Sequence, residues 1–138
     1  MHWDYYIPAD GNELAAQSEL IVSGTFEKKL GQRPAHAVGM GPQGNVDVWQ
    51  FRVATVYKGN PGAVVHVMRW PDEVYAEQYH VKSGEKAVLF LVGTGSGLTT
   101  VKCGDAGLLL VGSDGRTLRS PGAFVSGVGS IAEIEALA

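Results

Sequence analysis

Residues 46–70, VDVWQFRVATVYKGNPGAVVHVMRW, constrain the fold of this chain more than any other stretch. In 46–57 the odd positions are Asp47, Trp49, Phe51, Val53, Thr55 and Tyr57, and the even positions are Val46, Val48, Gln50, Arg52, Ala54 and Val56. An extended chain sends successive side chains to opposite faces. The odd set carries three aromatics and a valine, so it is the core face. Gln50 and Arg52 in the even set reach solvent. Residues 63–70 are almost continuously apolar and rich in β-branched side chains, which pack well on a pleated surface. Between the two runs, Lys58-Gly59-Asn60-Pro61-Gly62 reverses the chain. The two glycines offer the positive φ of a tight turn, and Pro61 removes a backbone donor. Two antiparallel strands in a hairpin are expected.

The remaining segments read as further short strands. Asn12 is a plausible cap for a short helix over 13–18. Residues 19–28 alternate, with Leu20, Val22, Gly24 and Phe26 on one side, and Gly24 suggests a bulge in mid-strand. Residues 30–45, LGQRPAHAVGMGPQGN, show no period and read as a long exposed loop. Residues 71–82 read as a polar and aromatic excursion. Ser83-Gly84-Glu85 is a turn that feeds a buried central strand over 86–92, KAVLFLV. Short strands follow at 98–102, 107–112 and 116–119, the last two joined through Ser113-Asp114-Gly115. Ser130 with Glu133 three residues on is a capping box, opening a helix that presents Ile131, Ile134 and Leu137. Short strands with Gly/Pro-rich turns imply a sandwich or barrel. Closure removes exposed edges. The expected class is therefore all-β with short terminal helices, a small closed antiparallel barrel. It is one domain over 1–138, with an aromatic amino-terminal arm at 1–12 and a carboxy-terminal helix at 129–138.

Composition excludes several classes. A chain of 138 residues with 45% hydrophobic and 18% charged residues can bury a core without staples. Its net charge of −3 disfavours broad binding to nucleic acid, which needs a basic surface. Cys103 is the only cysteine, so there is no internal disulfide, and a buried inert thiol is expected. No stretch approaches the ~20 apolar residues of a membrane span. Met1-His2-Trp3-Asp4 has neither the basic segment nor the apolar run of a signal peptide.

Three runs carry a resemblance: Ser18-Glu19-Leu20-Ile21-Val22-Ser23-Gly24-Thr25-Phe26, then Phe51-Arg52-Val53-Ala54-Thr55-Val56-Tyr57-Lys58-Gly59, then Gly84-Glu85-Lys86-Ala87-Val88-Leu89-Phe90-Leu91. A glycine-bent strand, a strand ending in Lys-Gly and a Gly-Glu turn feeding a Leu-Phe-Leu strand are similar to a pattern of bacterial extracytoplasmic proteins. Those proteins resemble the netrin-like domain, the OB-fold barrel of the tissue inhibitors of metalloproteinases. The likeness covers about residues 13–119. It implies an OB-like barrel in an envelope or secreted protein. A cytoplasmic location also stays open. The inhibitors' zinc-binding amino-terminal cysteine has no counterpart here, since the chain opens with Met1-His2-Trp3.

Chemistry-bearing residues form no strong constellation. His2, His36, His66 and His80 do not pair at a metal-ligand spacing. Glu77 and His80 are three apart, near Asp72, and would share a face on a helical turn. An enzyme with a site near Asp72, Glu77 and His80 is an alternative, and a solvated polar loop explains these residues more simply. Gly93-Thr94-Gly95-Ser96-Gly97 lacks the Lys-Ser/Thr of a phosphate loop. Trp49, Phe51, Tyr57, Trp70, Tyr75 and Tyr79, with Arg52, Lys58 and Arg69, could make a single-stranded nucleic-acid face. Trp49 and Phe51 are better placed in a core. The expectation is a non-catalytic module with no cofactor, no metal and no nucleic acid. It binds an unidentified protein partner through loops, with Arg33, His36, Met40, Asp72, Tyr75, Glu77, Tyr79 and His80 as candidate contacts.

Overall fold

The computed structural model describes residues 10–35, 44–71, 79–93, 99–101, 107–121 and 125–137. The chain is mostly β. Helix α1 (Gly11–Gln17) precedes strands β1 (Leu20–Pro34), β2 (Asn45–Lys58), β3 (Val64–Arg69), β4 (Lys86–Gly93), β5 (Thr99–Val101), β6 (Leu108–Val111) and β7 (Leu118–Arg119), and helix α2 (Ile131–Leu137) follows. The strands form one sheet in the order β1-β2-β3-β5-β4-β6-β7, with a further pairing of β1 to β4.

The anticipated hairpin is β2–β3, with Trp49 opposite Val67 and Phe51 opposite Val65. Its turn needs one positive φ rather than two. Gly59 has φ 91°, and Gly62 is not in the left-handed region. A side chain at Gly59 would overlap the Leu20 side chain, so the turn also packs against the start of β1.

β1 departs most from expectation. It runs for 15 residues and pairs with β2 from Ile21 opposite Lys58 to Pro34 opposite Asn45. The segment expected to be loop from residue 30 is therefore strand as far as Pro34. Four register shifts interrupt this ladder. One lies between Ser23 and Gly24, where the bulge was expected. A Cβ at Gly24 would overlap the Arg52 carbonyl, so only glycine lets the two backbones approach there. On its other edge β1 pairs with β4, from Leu20 opposite Leu91 to Thr25 opposite Lys86. β3 and β5 pair in parallel, a departure from the all-antiparallel expectation.

Two cores lie on the two faces of the sheet. Val22, Phe26, Phe51, Val65, Val67, Leu89 and Leu91 form one, with Trp49 partly buried against it. Ile21, Val88, Phe90 and Leu109 form the other with Leu14 of α1 and Ile134 of α2. β4 supplies both, which is why its sequence is continuously apolar rather than alternating. α1 is capped by Asp10 rather than Asn12: the Asp10 carboxylate accepts the Glu13 amide at 3.0 Å. α2 has most of its capping box. Ser130 Oγ accepts the Glu133 amide at 3.2 Å, while the Glu133 carboxylate reaches the Gly129 amide at 2.9 Å.

Phe51 is fully buried and meets Phe26 edge-on, with ring centroids 5.0 Å apart. Arg52, one residue on, is exposed and pairs with Glu27 at 2.7 Å. Phe51→Ala is expected to cost about 3–5 kcal/mol, from lost transfer energy and the cavity left behind. Arg52→Ala removes only an exposed ion pair and is expected to cost a small fraction of that. Chemical denaturation of both variants checks the order.

Candidate functional site

Period two places Asp47 and Arg69 on the core faces of β2 and β3, and the register sets them opposite each other. Both are nearly buried, at 5% and 6% exposure. Buried charges persist only with partners. Asp47 accepts Gln32 Nε2 at 2.9 Å and lies 3.6 Å from Lys29 Nζ. Arg69 donates to the Tyr79 carbonyl at 2.6 Å. Arg69 is therefore a structural cation, not part of an exposed basic stripe. It ties the chain after residue 78 to the end of β3.

Tyr79 extends this polar group. Its hydroxyl donates to the Glu85 carboxylate beside the turn at residues 83–84, and its side chain packs against the first core. Partial burial first, then the hydrogen bond to Glu85 and that carboxylate's charge, push the phenol up to about 12. The group thus holds a neutral phenol at any physiological pH. Its hydrogen bonds join the end of β3 to residues 79–85, just before β4, which is a bracing role.

A second small apolar cluster sits on the outer side of the β1–β2 arm. Ala35, Val46, Val48 and Met68 are buried there, with Trp70 packed against them. The Ala35 amide donates to the Gly44 carbonyl at 2.9 Å, pinning together the two ends of segment 36–43. Trp70 and the buried Pro71 stand where segment 72–78 departs. One cluster thus roots both segments that the sequence singled out as contact loops. Beside it, Leu30, Gly31, Gln32, Arg33, Val48 and His66 line a groove of about 210 Å³.

The expected contact residues fall out as follows. Arg33 is exposed on β1 and lines that groove. Tyr79 is half-buried in the brace, and His80 next to it is exposed. His36, Met40, Asp72, Tyr75 and Glu77 lie outside the described residues, as does Cys103. The proposed acid/base set of Asp72, Glu77 and His80 is therefore described only at His80. Among the described residues, no group of three His, Cys, Asp or Glu side chains could hold a metal ion. None of the described helices is long and apolar enough to cross a membrane.

Among the described residues of the nucleic-acid reading, several are engaged away from an open surface. Phe51 is in the core with Trp49 packed on it, Arg69 is buried, and Lys58 donates to the Ala15 carbonyl at 2.7 Å. Arg52 is held by Glu27, whose carboxyl sits below its ordinary range through hydrogen bonds from Arg52 and then Gln50. A hollow of about 480 Å³ between β6–β7 and the start of α2 is lined by Leu109, Leu118 and Val125. Its carboxylate, Glu133, is already engaged by the Gly129 amide.

Sequence reasoning missed the burial of Asp47 and Arg69, although its signal was present. Each charge stands in phase with the core residues of its own strand, Trp49 and Phe51 in one, Val65 and Val67 in the other. A charge at a core position implies a buried group with partners of its own: Gln32 and Lys29 for Asp47, the Tyr79 carbonyl for Arg69. No protein family, curated protein or solved structure matches the chain.

The raised phenol gives a pH test. The folded chain holds the Tyr79 proton more tightly than the unfolded chain, whose tyrosine keeps the ordinary value of 10.0. This contribution is fully present below pH 10 and is lost as pH rises towards about 12. Tyr79→Phe is expected to flatten that part of the alkaline decline in stability. Denaturation midpoints of both proteins across this window provide the measurement, and parallel curves would refute the assignment.

Proposed function

We propose that the chain is a non-catalytic interaction module, an OB-like barrel that binds a protein partner through the segments around 30–45 and 71–82. The observation that carries this reading is the shared root of the two segments. Ala35 belongs to one buried cluster and Trp70 packs against it, so the described residues that precede both segments share one anchor. Recognition commonly sits on loops held in this way, because the scaffold bears the ordering cost and the loops supply variety.

The barrel part of the proposal draws on the strand pairings. β1 pairs with β2, β2 with β3, β3 with β5, β5 with β4 and β4 again with β1. Five strands that return to their start fit the small, partly open barrel of the OB class. The first core would then be the barrel interior, and the two helices would cover its outside at β4. A netrin-like relationship and a place in the bacterial envelope or secreted fraction follow from the sequence resemblance alone.

OB barrels that hold oligonucleotides use the outer face of strands 2 and 3 and stack bases on aromatics. Here the outward positions of β2 and β3 include Gln50, Arg52, Val64 and His66, with no aromatic among these described residues. That favours a protein partner over a nucleic acid.

The test replaces residues 36–43, or residues 72–78, with a Gly/Ser segment of equal length. Wild-type protein is expected to retain a defined partner from an envelope extract. Each replacement is expected to lose that partner while its melting temperature stays close to wild type. Capture of the same protein by both folded replacements would overturn the reading.

A further inference from the structure

β1 changes character at Lys28. From Ile21 to Thr25 both edges are paired, one with β2 and one with β4. At Phe26 the second edge is still occupied: its amide donates to the Glu85 carbonyl at 2.9 Å, and its carbonyl accepts the Gly84 amide at 2.7 Å. The Glu27 carbonyl accepts the Ser83 hydroxyl. From Lys28 to Pro34, β2 is the only pairing partner among the described residues. Strand backbone groups alternate between the two neighbours. The arm therefore presents a row of amides and carbonyls on its outer edge.

Charge on this arm opposes that of the whole chain. Lys28, Lys29 and Arg33 fall within residues 28–34, and none of the chain's 14 carboxylates does, although the net charge is −3. Lys29 is drawn to Asp47. Lys28 and Arg33 are exposed. Leu30 is 44% exposed beside them, one of the large apolar side chains left in solvent. The groove lined by Leu30, Arg33, Val48 and His66 adjoins the same strand.

We infer that the outer edge of β1 over residues 28–34 is a docking strand for an extended acidic peptide segment. Strand addition satisfies the open backbone groups and gives affinity without sequence specificity. Lys28 and Arg33 select acidic side chains, and the exposed Leu30 offers an apolar contact. A second copy of this chain is the wrong occupant, because two such edges would set cations against cations. Lysines, a proline and bulges also blunt an edge against aggregation. Blunting excludes other basic edges and leaves an acidic strand as the one the edge accepts. This docking strand deepens the interaction-module reading, and a defined peptide tests it apart from any natural partner.

The probe is a fluorescein-labelled, end-blocked peptide of alternating Glu and Val, followed by anisotropy in low salt. Saturable binding is expected, weakened when ionic strength rises to about 0.5 M, where screening is strong. A double variant, Lys28→Glu with Arg33→Glu, should bind at least about tenfold more weakly. The same peptide N-methylated at alternate backbone nitrogens should not bind the wild-type chain, and a Lys–Val peptide should not either. Equal binding of the N-methylated peptide would reduce the effect to charge attraction and overturn strand addition. No binding of the Glu–Val peptide in low salt would overturn the docking strand altogether. So would sedimentation showing a dimer of the wild-type chain that the charge reversal dissolves. The peptide comparisons use the wild-type chain, so they stand however the variant folds.

Discussion

The double pairing of β1 over residues 21–25 is the constraint on which the rest of the structure depends. One edge of this segment takes β2 and the other takes β4, so a single strand joins the hairpin half of the sheet to the β4–β6 half. Gly24 makes this possible. It sits at a register shift where any side chain would overlap the Arg52 carbonyl. The alternation of β1 then sends Val22 and Phe26 into one core and Ile21 into the other. Both cores exist because this segment and β4 are buried on both faces.

Beyond that segment the same strand does different work. Past Phe26 the register shifts, burial ends and β1 continues as an arm paired, among the described residues, to β2 alone. A strand exposed on both faces needs other anchors. Asp47 supplies one, held by Lys29 and Gln32 from across the ladder. The cluster of Ala35, Val46, Val48 and Met68 supplies another at the tip. Arg69 and Tyr79 brace the neighbouring chain from the β3 side. The proposed docking edge would thus be carried by an extension of the element that organises the core, and these anchors fix the geometry of the exposed arm.

How much was legible follows from this division. β2, β3 and β4 were readable because burial imposes a pattern: alternation where one face is buried, a continuous apolar run where both are. Phe51 inside and Arg52 outside follow from period two alone. The outer half of β1 was read as loop because neither of its faces is covered, and the shift between Lys29 and Gly31 breaks whatever alternation remained. The parallel pairing of β3 with β5 was invisible, since β5 has only 3 residues and its partner lies far along the chain. The helix cap moved from Asn12 to Asp10: both residue types can cap, and the helix starts at Gly11, so Asp10 precedes its first turn and accepts the Glu13 amide. Arg33 and His80 were placed on the surface by sequence and are exposed. Tyr79 was read as a contact, but its hydroxyl is turned to Glu85.

Residue-resolved amide hydrogen exchange along β1 tests the central claim most directly. Doubly paired strand protects every amide, whereas singly paired strand protects alternate ones. The account predicts slow exchange, near the rate of global unfolding, for consecutive amides from Ile21 to Phe26. It predicts a mixture of slow and fast amides from Lys28 to Arg33, with the alternation offset at the register shift between Lys29 and Gly31. Alternation along the whole strand would contradict the pairing of β1 with β4. Uniform protection as far as Arg33 would contradict the open edge of the arm.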